Sequence, residues 1–214
     1  MVNIVIYFWN LFVLWIETIF VIPFKNWDML WLLVPVWIAW FFAEFYQEKV
    51  GTSRGNAITN AVVVIWGSID CTRQTARLIA SKAITSGLQI FTRFALIAVI
   101  FAYGLIIVNL GMKGRKIVKY IGRVRVVTYV FVMFVPILYN TIPFSVEHLV
   151  AAIVFFPLYY GIIELIDRIA PNPQAIIEDL KEMEMHAVHN KHPTNTHVGT
   201  YQHVPGNISQ HRPK

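Results

Sequence analysis

Charge is what this chain has least of. Charged side chains make up 14% of the 214 residues and hydrophobic ones 57%, where a soluble domain carries about a quarter charged residues. So low a charge content points to a membrane protein. Cysteine is nearly absent. Cys71 stands alone, so no intrachain disulfide can form and the redox compartment is left open. No stretch alternates apolar and polar residues as a barrel strand must. Helices are the remaining spanning element, because lipid offers no partner to bare backbone groups. The N-terminus has neither a basic side chain nor a small-residue cleavage site, so its apolar stretch is expected to stay as a span. Catalytic signatures are missing too: there is no H-E-x-x-H, G-x-S-x-G, P-loop or dinucleotide fingerprint. The two halves share no repeat, which argues against an inverted-repeat transporter.

Long apolar runs are what the chain does have. Residues 94–112 and 126–146 are uncharged runs of 19 and 21 residues, enough to cross a hydrocarbon core of about 30 Å as helices. Residues 2–16, 29–43, 55–69 and 149–163 are runs of 15, which reach spanning length once an end carboxylate or a Gly/Asn edge is included. The expected fold is all-α, a polytopic helical membrane protein of about six transmembrane helices. The number falls to five if residues 55–69 dip in and return without crossing.

Six of the 18 basic residues, Lys113, Arg115, Lys116, Lys119, Arg123 and Arg125, lie in one loop, and membrane orientation accounts for them. Nucleic acid is not needed to explain the net charge of +6. An excess of Lys and Arg marks the cytoplasmic side, which places this loop and the C-terminus inside. The same count puts Arg73, Arg77 and Lys82 outside, against their charge. All seven tryptophans precede residue 67, as interface belts or a bulky packing surface. The domain reading is a helical membrane domain over 1–170, a cytoplasmic amphipathic helix over 171–189, and a disordered His-containing tail over 190–214. The helix is a candidate site for a cytoplasmic partner. Glu182, His186 and His189 share a face of it, yet no closed metal-ligand set appears at standard spacing, and no cofactor is expected.

Ionisable groups inside apolar runs need explaining, since a charge at the bilayer centre costs roughly 2.5–3.5 kcal/mol on insertion scales. Asn3, Asn10 and Glu17 recur every seven residues on one helix face, as a hydrogen-bonded helix seam or as ligands for a cation or proton. Glu44 and Glu48 are one turn apart. They could hold a hard cation or share a proton, or sit at headgroup level beside Lys49 and Arg54. A continuous helix would align Asn56, Asn60, Gly67, Asp70, Gln74 and Arg77 along one side. Asp70 would pair with Arg73 or Gln74, and Gly67 would admit a neighbouring helix. The segment `GTSRGN` offers Thr52, Ser53, Arg54 and Asn56 as an anion or headgroup cradle, with Asn56 capping a helix from Ala57. It reads equally as a tight interhelical turn.

Within residues 44–56, Glu-Phe followed by Ser-x-Gly-Asn resembles the Glu-rich and Ser/Thr-Gly segments of polyprenyl-diphosphate phosphatases over about a dozen positions. There is no second copy and the chain is short for that fold, so the family is not assigned. Three functions follow. The first is a small oligomeric channel or transporter with a cation or proton path along Glu17, Glu44, Glu48, Asn60, Asp70, Arg73 and Gln74. The second is a non-catalytic subunit that assembles a membrane complex with copies of itself or other membrane subunits. The third is a lipid-phosphate binder or enzyme built on Glu44, Glu48 and `GTSRGN`.

Overall fold

The computed structural model describes residues 4–49, 51–171, 177, 178 and 181. The proposed C-terminal amphipathic helix and His-containing tail lie almost wholly outside these residues. Among the described residues every regular element is helical: α1 Ile4–Phe20, α2 Trp27–Phe42, α3 Arg54–Ala80, α4 Gly87–Met112, α5 Val118–Ile121, α6 Val124–Leu138, α7 Val146–Val154 and α8 Phe156–Ile169. A 3₁₀ turn, Ile22–Lys25, joins α1 to α2, and a π turn, Ala43–Gln47, extends α2.

Local chemistry sets the helix ends. The Asn26 carboxamide accepts from the backbone N–H of Asp28 and Met29 and starts α2. Ser145 caps α7 through the N–H of His148. Pro157 sits in the first turn of α8. Its ring cannot continue a helix arriving from α7, so the chain breaks at Phe155 and resumes.

Each outer helix turns a narrow stripe inward: Leu11, Trp15 and Thr18 from α1, and Met29, Leu33 and Val36 from α2. These recur at three- and four-residue intervals, the helical period. In contrast, α6 is buried on nearly every side and forms the axis of the bundle. Phe131 and Val135 of α6 meet Leu33, Val64, Ile97 and Ile100 in the main core. On the other flank Tyr129 accepts from Trp15 Nε1 at 3.0 Å and donates to the Ala152 carbonyl at 2.7 Å.

Small residues bring α3 and α4 together. A Cβ on Gly104 would stand 3.2 Å from the Ala61 carbonyl oxygen, and one on Gly111 2.6 Å from Ile58. Gly67 is also spent inside the chain. A Cβ there would lie 2.3 Å from the Phe131 ring, so the neighbouring helix expected at Gly67 is α6 of the same chain.

Among the described residues three helical stretches are long and apolar enough to cross a membrane: Trp27–Gln47, Gly87–Met112 and Val146–Ile169, the last being α7 and α8 together. Of the other expected spans, α1 and α6 are apolar but short, at 17 and 15 residues. The uncharged run 126–146 is not one helix. It ends at Leu138, just after Pro136, and turns through Asn140 at φ +59°. Residues 55–69 lie within α3, one unbroken helix of 27 residues, about 40 Å long. A dip and return would need a chain reversal that α3 does not contain.

Candidate functional site

The π turn at the end of α2 carries Glu44, Glu48 follows directly after it, and both side chains are completely buried. They do not share a ligand site. Glu44 faces Arg125 in the first turn of α6, itself buried. Arg125 Nε reaches the two Glu44 oxygens at 3.0 and 3.2 Å, and Nη2 donates to Oε1. Arg125 Nη1 donates to Glu164 at 2.8 Å, and Asp167 stands 3.9 Å from Nη2. The guanidinium also lies 4.7 Å from the centroid of the Tyr160 ring, within cation–π range. Arg123 adds a second guanidinium, 3.3 Å from Glu44.

Glu48 makes a different set of bonds. It accepts from Thr52 Oγ1 at 2.7 Å, Asn60 Nδ2 at 2.8 Å and the Val124 N–H at 3.1 Å. Val124 opens α6, so Glu48 caps that helix from another part of the chain, where the helix dipole favours a negative charge. Asn60 also donates to the Gly122 carbonyl at 2.9 Å. The connector after α2, the start of α6 and the end of α8 are thus tied at one end of the bundle. Lys49 adds to this by donating to the carbonyls of Ala170 and Pro171.

The arrangement is an ionic cluster of Glu44, Glu164 and Asp167 against Arg123, Arg125 and Arg168, with the uncharged donors around Glu48 beside it. Its acids face guanidinium, amide and hydroxyl donors, a setting that suits ion pairing and not a hard cation, which wants several oxygen ligands. Among the described residues no group of three His, Cys, Asp or Glu converges on a point that could hold a metal.

The other expected site residues lie elsewhere. Glu17 is exposed, as is Asn10, on the side of α1 away from Leu11 and Trp15. Asp70 and Arg73 pair with each other near the far end of α3, and Tyr139 donates its hydroxyl to Asp70. Gln74 is buried one turn further on. In one chain, therefore, Glu44, Glu48 and Asn60 come together, while Glu17, Asp70, Arg73 and Gln74 do not join them.

The segment `GTSRGN` is organised as a connector. Ser53 caps α3 through the Asn56 N–H at 3.0 Å, which moves the helix start from Ala57 to Arg54 and removes Asn56 from the cap position. Thr52 is bonded to Glu48, and Arg54 is exposed. Gly51, at φ +113°, takes a turn conformation that suits glycine.

Arg123, Arg125, Glu164 and Asp167 belong to the site, although in sequence the first two read as orientation signals and the last two, with Arg168, as a self-neutralising cluster at the membrane interface. One signal did mark them. Arg125 abuts an uncharged run of 21 residues, and Glu164 and Asp167 close the last apolar run. What they touch is not written locally. Compared with known proteins, the chain matches no protein-family profile, no curated sequence and no solved structure. The fold defines a class: among the described residues, a helical protein with three stretches fit to cross a membrane.

Proposed function

We propose that the chain is a multi-pass membrane protein of transport type, in which the Glu44–Arg125 pair acts as an ionic lock at the cytoplasmic end of the bundle. The observation that carries this reading is that both members are 0% exposed, at the one end where α2, α6 and α8 are joined through charges. Burying ions costs several kcal/mol each, so such a pair is weak as a device for stability alone. Water can replace its partners when helix ends part, which an apolar contact does not allow. Ionisable groups inside membrane segments are functional by default. The basic loop puts this end inside by charge bias. Proton or cation movement would then be controlled by opening the lock, not by carboxylates lining a fixed pore.

The test is flux in proteoliposomes under a proton, sodium or potassium gradient. Glu44→Gln and Arg125→Gln should each change flux strongly, and the swap Glu44→Arg with Arg125→Glu should restore part of it. Wild-type flux in both single variants, with folding intact, would overturn the lock.

A second reading is an assembly subunit. An open groove of about 740 Å³ between α2 and α3 exposes Trp31 (82%) and Trp66 (69%), and a second membrane helix would fit there. Under it, Trp31→Ala with Trp66→Ala should dissolve an oligomer seen on native gels and leave the monomer folded.

A further inference from the structure

Among the described residues two arginines are buried, and they are treated differently. Arg125 is surrounded by the carboxylates of Glu44, Glu164 and Asp167. Arg93, in α4 toward the opposite end of the bundle, is only 5% exposed and makes no ion pair among the described residues. Its Nη2 donates to Asn140 Oδ1 at 2.6 Å, and its buried Nη1 has no partner. A guanidinium withdrawn from water and left without counter-charge loses far more than a neutral donor would.

A second unpaired group stands beside it. The hydroxyl of Thr141 is buried and unbonded. Arg93, Asn140 and Thr141, with Gln89 and Thr92, line one cavity of about 340 Å³. Thr92 is already bonded to the Leu88 carbonyl, so the buried donors of this lining left without a partner are Arg93 Nη1 and the Thr141 hydroxyl. Asn140 is held for this task by its backbone, at φ +59° just beyond α6. Its carboxamide oxygen fixes Nη2 of the guanidinium and leaves Nη1 without a partner.

We propose that Arg93, Asn140 and Thr141 form a binding site for a phosphate or carboxylate group, at the end of the bundle opposite the ionic cluster. An anion with two oxygens would accept from Arg93 Nη1 and Thr141 Oγ1 together, and would supply the counter-charge that no described side chain does. Arginine suits this because its planar fork matches the geometry of carboxylate and phosphate. Two sources share this chemistry, a free anion and a lipid headgroup. The cavity accommodates either, since Leu88 and Phe144 at its wall are exposed apolar side chains beside which acyl chains could lie. The site stands whether or not the protein transports anything.

The experiment uses the full chain purified in a neutral detergent. Inorganic phosphate and acetate are titrated while thermal unfolding is followed. In parallel, native mass spectrometry counts lipid retained from nanodiscs of phosphatidylglycerol or of an uncharged galactolipid. Stabilisation by phosphate or acetate identifies a free-anion site. Retention of phosphatidylglycerol but not galactolipid identifies a headgroup site. In either case Arg93→Gln should weaken binding by about tenfold to a hundredfold, the loss typical of a hydrogen bond to a charged group. Thr141→Val should weaken it severalfold, and Arg93→Lys should keep part of it. The proposal fails if wild type responds to none of the probes, or if Thr141→Val and Arg93→Gln bind as wild type does. Should Arg93→Gln not fold, the wild-type and Thr141→Val measurements still decide.

Discussion

At the residue scale the buried cluster joins side chains that are costly to strand, because Glu44 and Arg125 are both withdrawn from water. Arg125→Met removes the closer of the two guanidinium partners of a fully buried Glu44 and leaves Arg123 at 3.3 Å, and breaking a buried pair from one side costs about 3–5 kcal/mol. Adding Glu44→Leu should return part of that loss, because it removes the buried carboxylate that Arg125 no longer neutralises. Unfolding in detergent compares the two; a double variant no better than Arg125→Met would contradict the pairing. Glu48→Leu strands the donors of Thr52, Asn60 and Val124, at about 1–3 kcal/mol for each donor left buried and unsatisfied. The two acids were legible in the sequence because acids one turn apart beside an apolar run stand out. Their separate roles were not, since Arg125 and Val124 follow them by 81 and 76 positions.

Among the elements, the α3–α4 pair is set by how closely two backbones approach. Gly104→Leu would press a side chain toward Ile65, Val64 and the fixed Ala61 carbonyl, and overpacking of this kind costs about 1–3 kcal/mol or more. Gly161 offers the contrast, with nothing within 4 Å of a Cβ placed there. Gly161→Ala should stabilise α8 by ~0.5–1 kcal/mol, the helix preference of Ala over Gly. Ser53→Ala removes the cap of α3 and should cost about 1 kcal/mol. Thermal unfolding separates the three, and Gly104→Leu as stable as wild type would mean that α3 and α4 do not pack as described. Of the side of α3 that its period singles out, Asn60, Gly67 and Gln74 are buried, while Asn56 and Asp70 are half-buried and Arg77 is exposed. That its glycine at 67 receives Phe131 was not readable, because the same small residue serves a partner molecule or the chain's own helix equally well.

For the whole molecule, the directions of α2, α3, α4 and α6 put connectors 48–53 and 113–123 at one end and the turn 81–86 at the other. Arg73, Arg77 and Lys82, which charge bias alone would draw inside, lie in or beyond the last two turns of α3. Counted from Arg54, they fall near or past the roughly 30 Å thickness of a hydrocarbon core, so water can reach them. Side-specific labelling checks this. Cys71 is buried and should be silent, while Ser53→Cys and Lys116→Cys should react from the same side and Lys82→Cys from the opposite side. Labelling of all three from one side would refute the arrangement.

Apolar runs and the helical recurrence of their small and polar residues were determined by the sequence itself, because helix formation and lipid solubility depend on neighbours within a few turns. It likewise marked Glu44, Glu48 and Asn60 as groups needing partners. Only the tertiary structure decided which partners they took. Ion pairing, cross-chain capping of α6 and the unpaired edge of Arg93 depend on helices brought together from distant positions, and each guanidinium or carboxylate can be satisfied by many partners until packing selects one.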